Sequence, residues 1–198
     1  MIKVMLKGDV VKEFDAGITP MEIAKSLGAG LYKACCAAHV DGVLTDLRTP
    51  LTKDCKLELL TFDDKDGAWT FRHTASHILA QAVKRLFPEA KLAIGPAIDN
   101  GFYYDFDVEK PFSQEDLVKI EAEMKKIVKE ALPLERFELS PDEAKKMMEE
   151  ANEPYKVELV EKHASEGEPI SFFRQGDFVD LCAGPHLPDT SRVKAFKL

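Results

Sequence analysis

Two histidines four residues apart, His73 and His77, are the first group in this sequence that could do chemistry. Side chains at positions i and i+4 of a helix lie on one face, so both imidazoles can approach one metal ion, one water or one substrate atom. Imidazole also titrates near neutral pH, as general acid–base work requires. The pair alone is a weak motif, and two solvated surface histidines are the alternative.

A second reactive group lies far along the chain, in Asp180-Leu181-Cys182-Ala183-Gly184-Pro185-His186. Gly-Pro is incompatible with a helix, so these residues predict a tight loop after a strand. The loop presents a thiol at Cys182 and an imidazole at His186. With the two histidines they make a four-ligand set that zinc accepts, and the same set could polarise a water for hydrolysis. A buried thiol beside a surface histidine is the ordinary alternative.

The helix that carries the histidine pair is predicted from apolar residues at helical spacing. These residues are Phe71, Ala75, Ile78, Leu79, Ala82 and Leu86, and Pro88 stops the helix. On a helical wheel His73 and His77 fall roughly opposite this stripe. We therefore expect both imidazoles to lie off the helix's own core face.

The rest of the chain after this helix reads as α+β. Two further helices are predicted where Ser113 and Ser140 each begin a capping box. A strand-like stretch at 91–108 is interrupted by Gly-Pro and Asp-Asn-Gly. Short strands are predicted at 157–160, 171–173 and 178–181.

The first 62 residues predict a small mixed sheet crossed by one helix. Gly8-Asp9 and Asp41-Gly42 are hairpin signals between strand-like runs. A capping box at Thr19 begins a helix that ends near Gly28. A polar stretch then ends at Gly67. We place the domain boundary there and predict domains at 1–62 and 63–198.

Composition bounds the class of protein. The chain has 198 residues, of which 45% are hydrophobic and 31% charged, enough for one medium or two small packed domains. No apolar run is long enough to cross a membrane, and the N-terminus does not read as a signal peptide. Four cysteines without a regular framework suit a reducing compartment, so we expect a cytoplasmic protein.

The charge is unevenly distributed. The net charge is −8, and the acidic excess lies entirely after residue 62, because basic and acidic residues balance before it. A surface that grips many phosphates needs a basic patch or stripe. The second part is therefore not expected to carry one.

Three separated segments, 72–80, 93–105 and 180–186, closely resemble the N-terminal region of bacterial threonyl-tRNA synthetases. The editing domain of alanyl-tRNA synthetases shares the two-part His/Cys pattern. The first 62 residues resemble the TGS module, a β-grasp fold. The resemblance implies an α+β protein, with a TGS-like β-grasp domain followed by an editing domain of the second-additional-domain type.

What the resemblance implies is an editing hydrolase that cleaves the ester of serine attached by mistake to threonine tRNA. A synthetic site rejects an amino acid that lacks one methyl by only about 1–3 kcal/mol, so a second sieve is needed. By motif matching, the implied catalytic residues are His73, His77, Lys156, Cys182 and His186. The positions implied to recognise the seryl group are Tyr104 and Asp180. No cofactor is required in this interpretation.

The implied partners are the 3′ end of threonine tRNA carrying serine and the remaining synthetase domains, with no membrane. The chain is too short for the aminoacylation core, so ATP binding belongs to the full-length protein. One rival interpretation is a zinc-dependent hydrolase whose ligands are His73, His77, Cys182 and His186. Another is a non-catalytic module that binds RNA or protein.

Without the resemblance, several of these residues have ordinary interpretations. Lys156 reads as a surface lysine, Tyr104 as core packing and Asp180 as a loop cap. The histidines that match no motif, His39 and His163, read as structural or solvated. Three further cysteines, Cys35, Cys36 and Cys55, read as small core residues.

Overall fold

The computed structural model describes residues 1–198. The chain forms two compact units, one made of Met1–Arg72 with Pro185–Pro188 and the other of His73–Gly184 with Asp189–Leu198. No helix combines the length and apolar character that crossing a membrane requires. The mixture of helices and sheets agrees with the α+β class expected from the sequence.

The first unit is built on one five-stranded mixed sheet. Its elements are β1 (Ile2–Leu6), β2 (Val10–Phe14), α1 (Pro20–Leu27), α2 (Ala29–Ala34), β3 (Cys35–Val40), β4 (Val43–Thr45) and β5 (Cys55–Thr61). The strand order is β2-β1-β5-β3-β4, and β1 pairs with β5 in parallel. This mixed sheet with its packed helix agrees with the predicted β-grasp architecture.

Turn and cap residues explain these boundaries. Gly8 and Asp9 both have positive φ, as do Asp41 and Gly42, and these turns close the two predicted hairpins. Thr19 and its partner three residues later form a reciprocal capping box at the start of α1. Both hairpins and this helix are confirmed, whereas the short α2 was not predicted.

The second unit contains the remaining elements and part of α3 (Lys65–Leu86). The others are β6 (Lys91–Leu92), β7 (Ala97–Ile98), β8 (Gly101–Phe102), β9 (Phe106–Asp107), α4 (Gln114–Glu130), β10 (Leu134–Glu138), α5 (Pro141–Glu150), α6 (Pro154–Glu166), β11 (Ser171–Gln175) and β12 (Phe178–Leu181). An antiparallel sheet has the order β10-β11-β12, and two short hairpin-like pairs join β6 to β9 and β7 to β8.

Helix α3 is enclosed on all sides over its middle turns. Every residue from 73 to 83 is buried, including polar residues, while Leu86 at the end of the predicted stripe is exposed. The two histidines therefore lie off the apolar stripe but not in solvent. The surface interpretation of the pair is wrong.

One predicted strand is a helix. Residues 157–160 lie inside α6, which begins with Pro154 at its first position. Val157, Val160 and Ala164 pack against a core formed with α5 and β11. Their spacing of three and four residues is helical, and a four-residue window was too short to distinguish it from a strand.

The other predictions for this unit agree with the structure. Ser113 and Ser140 form the expected capping boxes of α4 and α5. The strands predicted near 171 and 178 are β11 and β12, which form an antiparallel hairpin. Strand β10 was not predicted.

Candidate active site

A buried carboxylate on β12, Asp180, organises the site. Its Oδ1 lies 2.6 Å from Nζ of Lys156, and its Oδ2 accepts a hydrogen bond of 2.6 Å from the hydroxyl of Tyr104. Oδ2 is also 3.7 Å from Nε2 of His77. Asp180, Lys156 and Tyr104 are all buried, so three of the residues singled out by motif matching meet in one nearly dry cluster.

Asp180 stays ionised in this setting. Burial raises its pKa, but Lys156, His77 and the hydroxyl of Tyr104 outweigh burial, so the pKa of Asp180 lies below its ordinary value. Burial and the neighbouring carboxylate raise the pKa of Tyr104 well above its usual value. Tyr104 is therefore a neutral hydrogen-bond donor, and Asp180 forms a buried ion pair with Lys156.

His77 is a neutral imidazole at physiological pH. Burial lowers its pKa to about 3, and the charge of Asp180 opposes this shift without reversing it. A group with so low a pKa is a poor proton acceptor at neutral pH. His77 is therefore suited to hydrogen bonding or to lining the site rather than to acting as a general base.

The helix and the distant loop meet at His73 and Cys182. Nε2 of His73 lies 3.3 Å from Sγ of Cys182, and the backbone N–H of Gly184 donates to the same sulfur at 3.3 Å. Burial raises the pKa of the Cys182 thiol to about 12, so the thiol is protonated at neutral pH. A protonated, buried thiol is a poor nucleophile.

The same side chains are a candidate metal-binding group. The rings of His73 and His77 are nearly perpendicular with centroids 5.2 Å apart. Ligand atoms of His73, His77 and Cys182 lie within 4.8 Å of one another. Nitrogen and sulfur donors at such distances fit zinc, which takes imidazole and thiolate ligands.

His186 follows Cys182 by four residues on the same loop. It is completely buried, and its segment belongs to the first unit, where its backbone N–H lies 3.4 Å from Oδ2 of Asp46. The ordinary interpretation of His186 as a surface histidine is therefore wrong. Its role as a fourth member of the site stays a prediction.

Tyr104 is held by residues to which the sequence analysis gave no role. A Cβ added to Gly95 would lie 2.0 Å from Cδ2 of Tyr104, so the ring packs directly on the glycine backbone. The carbonyl of Gly95 lies 2.7 Å from Oγ of Ser76, which is on α3 between the two histidines. Gly95 was visible in the sequence, but its spacing alone could not show a ring above it.

The histidines that match no motif have structural partners. Nε2 of His39 lies 2.8 Å from Oδ2 of Asp66, and Nδ1 of His163 lies 2.6 Å from Oε2 of Glu168. The cysteines predicted as core residues, Cys35, Cys36 and Cys55, are all buried and form no disulfide.

Comparison with known proteins matches two stretches of the chain to described families. The family described as the TGS domain matches residues 2–61. The family described as the threonyl and alanyl tRNA synthetase second additional domain matches residues 170–198. That second match contains both Asp180 and Cys182.

Curated relatives match the chain from end to end. The threonine–tRNA ligase of Acetivibrio thermocellus is 65% identical over all 198 residues. Those of Clostridium acetobutylicum and Clostridium botulinum strain Kyoto are 59% and 60% identical over the same length. The chain is similar to the N-terminal region of these threonine–tRNA ligases. It spans 31% of the length of each of these ligases.

Proposed function

We propose that this region of the ligase family hydrolyses the ester of serine mischarged onto threonine tRNA. The observation that carries the proposal is the buried cluster in which Asp180 contacts Lys156 and Tyr104. An ionised carboxylate, an ammonium and a neutral hydroxyl in one dry site can bind an amino acid and stabilise charge that develops at its ester. The adjacent His73–Cys182 contact adds polar groups near the reacting bond.

Recognition of the amino acid falls to Asp180. A seryl ester carries a free α-ammonium, and Asp180 is the ionised carboxylate of the cluster. Both of its oxygens are already engaged, by Lys156 and by Tyr104. A substrate ammonium that binds Asp180 therefore displaces or shares one of these partners, which couples recognition of serine to release of Lys156.

Lys156 is then the cation available to the ester. Once it is freed from Asp180, its ammonium can stabilise the oxyanion that forms when water attacks the carbonyl. His77 is too weak a base and Cys182 is protonated, so neither provides the base or the nucleophile at neutral pH. In this mechanism the water oxygen bonds to the carbonyl carbon while its proton passes to His73, directly or through a substrate hydroxyl. The bond from that carbon to the ribose oxygen then breaks, the ribose oxygen receives the proton, and serine and free tRNA leave. His186 is a further polar group on the loop.

The test is single-turnover deacylation of seryl-tRNA for threonine by the 198-residue chain. Removing a group that stabilises developing charge typically costs about 100- to 1,000-fold in rate, so we expect losses of that size in His73→Ala and Lys156→Ala. His163→Ala, outside the site, is the matched control and should keep the wild-type rate. Threonyl-tRNA should resist hydrolysis because its extra methyl does not fit.

A folded wild-type protein that leaves seryl-tRNA intact at high concentration would contradict the proposal. That outcome would favour the non-catalytic module that binds RNA or protein. Circular dichroism and thermal melting establish that each variant is folded before its rate is compared.

A zinc-dependent hydrolase is the second candidate, and the donor set at His73, His77 and Cys182 favours it. In that case the bound metal would supply a water of lowered pKa. Metal analysis of protein purified without chelators distinguishes the zinc-dependent mechanism from the metal-free mechanism. Stoichiometric zinc that is lost in His73→Ala supports the zinc enzyme, and zinc-free protein with full deacylase activity supports the metal-free mechanism.

The proposed partners follow from the proposed reaction. They are the acylated 3′ end of threonine tRNA and the remaining ligase domains, and the proposed compartment is the cytoplasm, where aminoacyl-tRNA is used. Editing of this kind requires no cofactor in the metal-free mechanism.

A further inference from the structure

A buried glutamate at the start of α6, Glu153, has a partner for each of its polar groups. Its Oε2 accepts a hydrogen bond of 2.7 Å from the backbone N–H of Leu92, and its Oε1 lies 2.7 Å from Nζ of Lys84. Its own N–H donates to the carbonyl of Met148. Its carbonyl accepts from the backbone N–H groups of Lys156 and Val157, both at 3.1 Å.

Lys84 completes this network from the end of α3. Its ammonium donates to the carbonyl of Pro88 at 2.9 Å, to the carbonyl of Ala90 at 3.0 Å and to Glu153 at 2.7 Å. A lysine has three N–H donors, and here all three have acceptors. Glu153 is only 4% exposed, so its charge depends on Lys84 for compensation.

The network fixes the turn from which Lys156 projects. Lys156 lies three residues after Glu153, and its backbone is hydrogen-bonded to the Glu153 carbonyl. Glu153 thus connects the first turn of α6 to α3, α5 and β6. These contacts fix the backbone of Lys156, whose side chain reaches Asp180.

The Lys156 side chain is buried, but it has open space beside it as well as packed neighbours. A cavity of about 430 Å³ borders it, and the walls of that cavity include Lys84, Glu153, Phe178 and Asp180. A side chain beside open space keeps its position only as well as its backbone and its polar partners hold it. Movement of the α6 start would therefore separate Lys156 from Asp180.

We propose that Glu153, with Lys84, is a positioning residue that fixes the backbone from which Lys156 reaches Asp180 in the free site and, in the proposed reaction, the ester. The kinetic part of this inference rests on the proposed function, whereas the structural part does not. The polar contacts of Glu153 are with Lys84, Leu92, Met148 and the start of α6, and we assign it no contact with substrate.

The kinetic test measures kcat and KM for deacylation in Glu153→Ala and Glu153→Gln. Misplacing a reacting group by about 1 Å can cost about 100-fold, so we expect kcat to fall by about 10- to 100-fold in Glu153→Ala with KM little changed. Glu153→Gln keeps an oxygen acceptor for Leu92 and should recover part of that loss. Wild-type kcat in Glu153→Ala would overturn the proposal.

A second measurement does not require any activity. The rate at which an amine-reactive acylating reagent modifies Lys156 is followed by mass spectrometry, well below the melting temperature. Wild-type Lys156 is 3% exposed and paired, so it should react slowly, and Glu153→Ala should raise its rate severalfold. An unchanged rate would overturn the proposal even if the variant were less stable.

Glu130→Ala is the matched control. Glu130 pairs with Arg85, the neighbour of Lys84 on α3, at 2.7 Å, but it does not contact α6. Its loss should change stability without changing the reactivity of Lys156 or kcat. If wild-type protein fails to hydrolyse seryl-tRNA, the proposed function fails, while the labelling of Lys156 still decides the positioning role. If Glu153→Ala does not fold, the same two measurements on Glu153→Gln decide it.

Discussion

Tyr104 approaches Gly95 so closely that only glycine, whose side chain is a hydrogen atom, leaves room for the ring. Any side chain at Gly95 would collide with the ring of Tyr104, since even a Cβ would lie 2.0 Å from it. The hydroxyl of this ring donates to Asp180. We predict that Gly95→Ala lowers the free energy of unfolding by about 1–3 kcal/mol, the usual cost of overpacking, and lowers deacylase activity. Urea unfolding and single-turnover kinetics measure the two effects.

Gly101→Ala is the control for that substitution. It lies in the same segment, and an added Cβ would meet nothing within 4 Å. It should change stability by less than about 0.5 kcal/mol, as surface substitutions generally do. Equal losses in the two variants would contradict a specific role for Gly95.

Burial of a neutral imidazole at His77 makes the protein sensitive to acid. The folded pKa of about 3 lies below the ordinary 6.5, so between these values the unfolded chain binds a proton that the folded chain does not. The contribution of the neutral His77 to the free energy of unfolding is therefore fully present above about pH 6.5. It is lost as the pH falls toward 3. Asp180, His73 and Lys156 face the ring, and the lowered pKa of Asp180 acts only at more acidic pH.

We predict that His77→Gln weakens this pH dependence. One proton corresponds to roughly 1.4 kcal/mol per pH unit, so the slope of the unfolding free energy between pH 6 and 4 should fall by about that amount. Urea titrations in chelator-treated buffer measure it. His163→Gln, which removes a more exposed histidine outside the site, is the comparison variant, and an equal change in both variants would contradict the assignment to His77.

Among the elements, those with a local signal were predicted and those that depend on distant contacts were not. Capping boxes identified α1, α4 and α5, and positive-φ turn residues identified two hairpins. The prediction of a strand at 157–160, inside α6, is wrong, and the start of this helix has Glu153 in place of the serine or threonine cap that marks α1, α4 and α5. Its stability comes from packing against α5, which a short sequence window does not reveal.

The capping boxes should have measurable energies. Ser140 accepts a hydrogen bond from the backbone N–H of Glu143, whose carboxylate reaches back to the Ser140 N–H. We predict that Ser140→Ala destabilises the protein by about 1 kcal/mol, as loss of an N-cap usually does. Chemical denaturation checks this. Ser165→Ala, near the opposite end of a helix, should cost less, and a larger cost there would contradict the cap assignment.

At the scale of the whole molecule, the charge of the chain limits how it meets RNA. The 27 basic residues are outnumbered by 35 acidic ones, and the resulting net charge of −8 disfavours the approach of many phosphates. We predict that the isolated chain binds threonine tRNA weakly at physiological salt, with a shallow dependence of affinity on salt concentration. Fluorescence anisotropy with labelled tRNA measures both, and a short 3′-end hairpin should bind about as well as the full tRNA. Tight binding at physiological salt would contradict this prediction.

The sequence could predict which residue types the site uses, but not their surroundings. His73, His77 and Cys182 are predicted by residue type and spacing as members of one set, and the structure brings their ligand atoms within 4.8 Å of one another. The burial of Lys156 and the supporting roles of Gly95 and Glu153 depend on neighbours brought in by the fold. Such roles have no signal in local spacing.

The contact between His73 and Cys182 joins residues 109 positions apart. Ribosomes add roughly 5–20 residues per second, so the imidazole waits roughly 5–20 s for its sulfur partner during synthesis. The parallel partner of β1 is available much sooner, because β5 ends at Thr61. A nascent chain would therefore finish its first sheet while the cluster of His73 and Cys182 still lacks β12, and this cluster would be completed late in translation of the region.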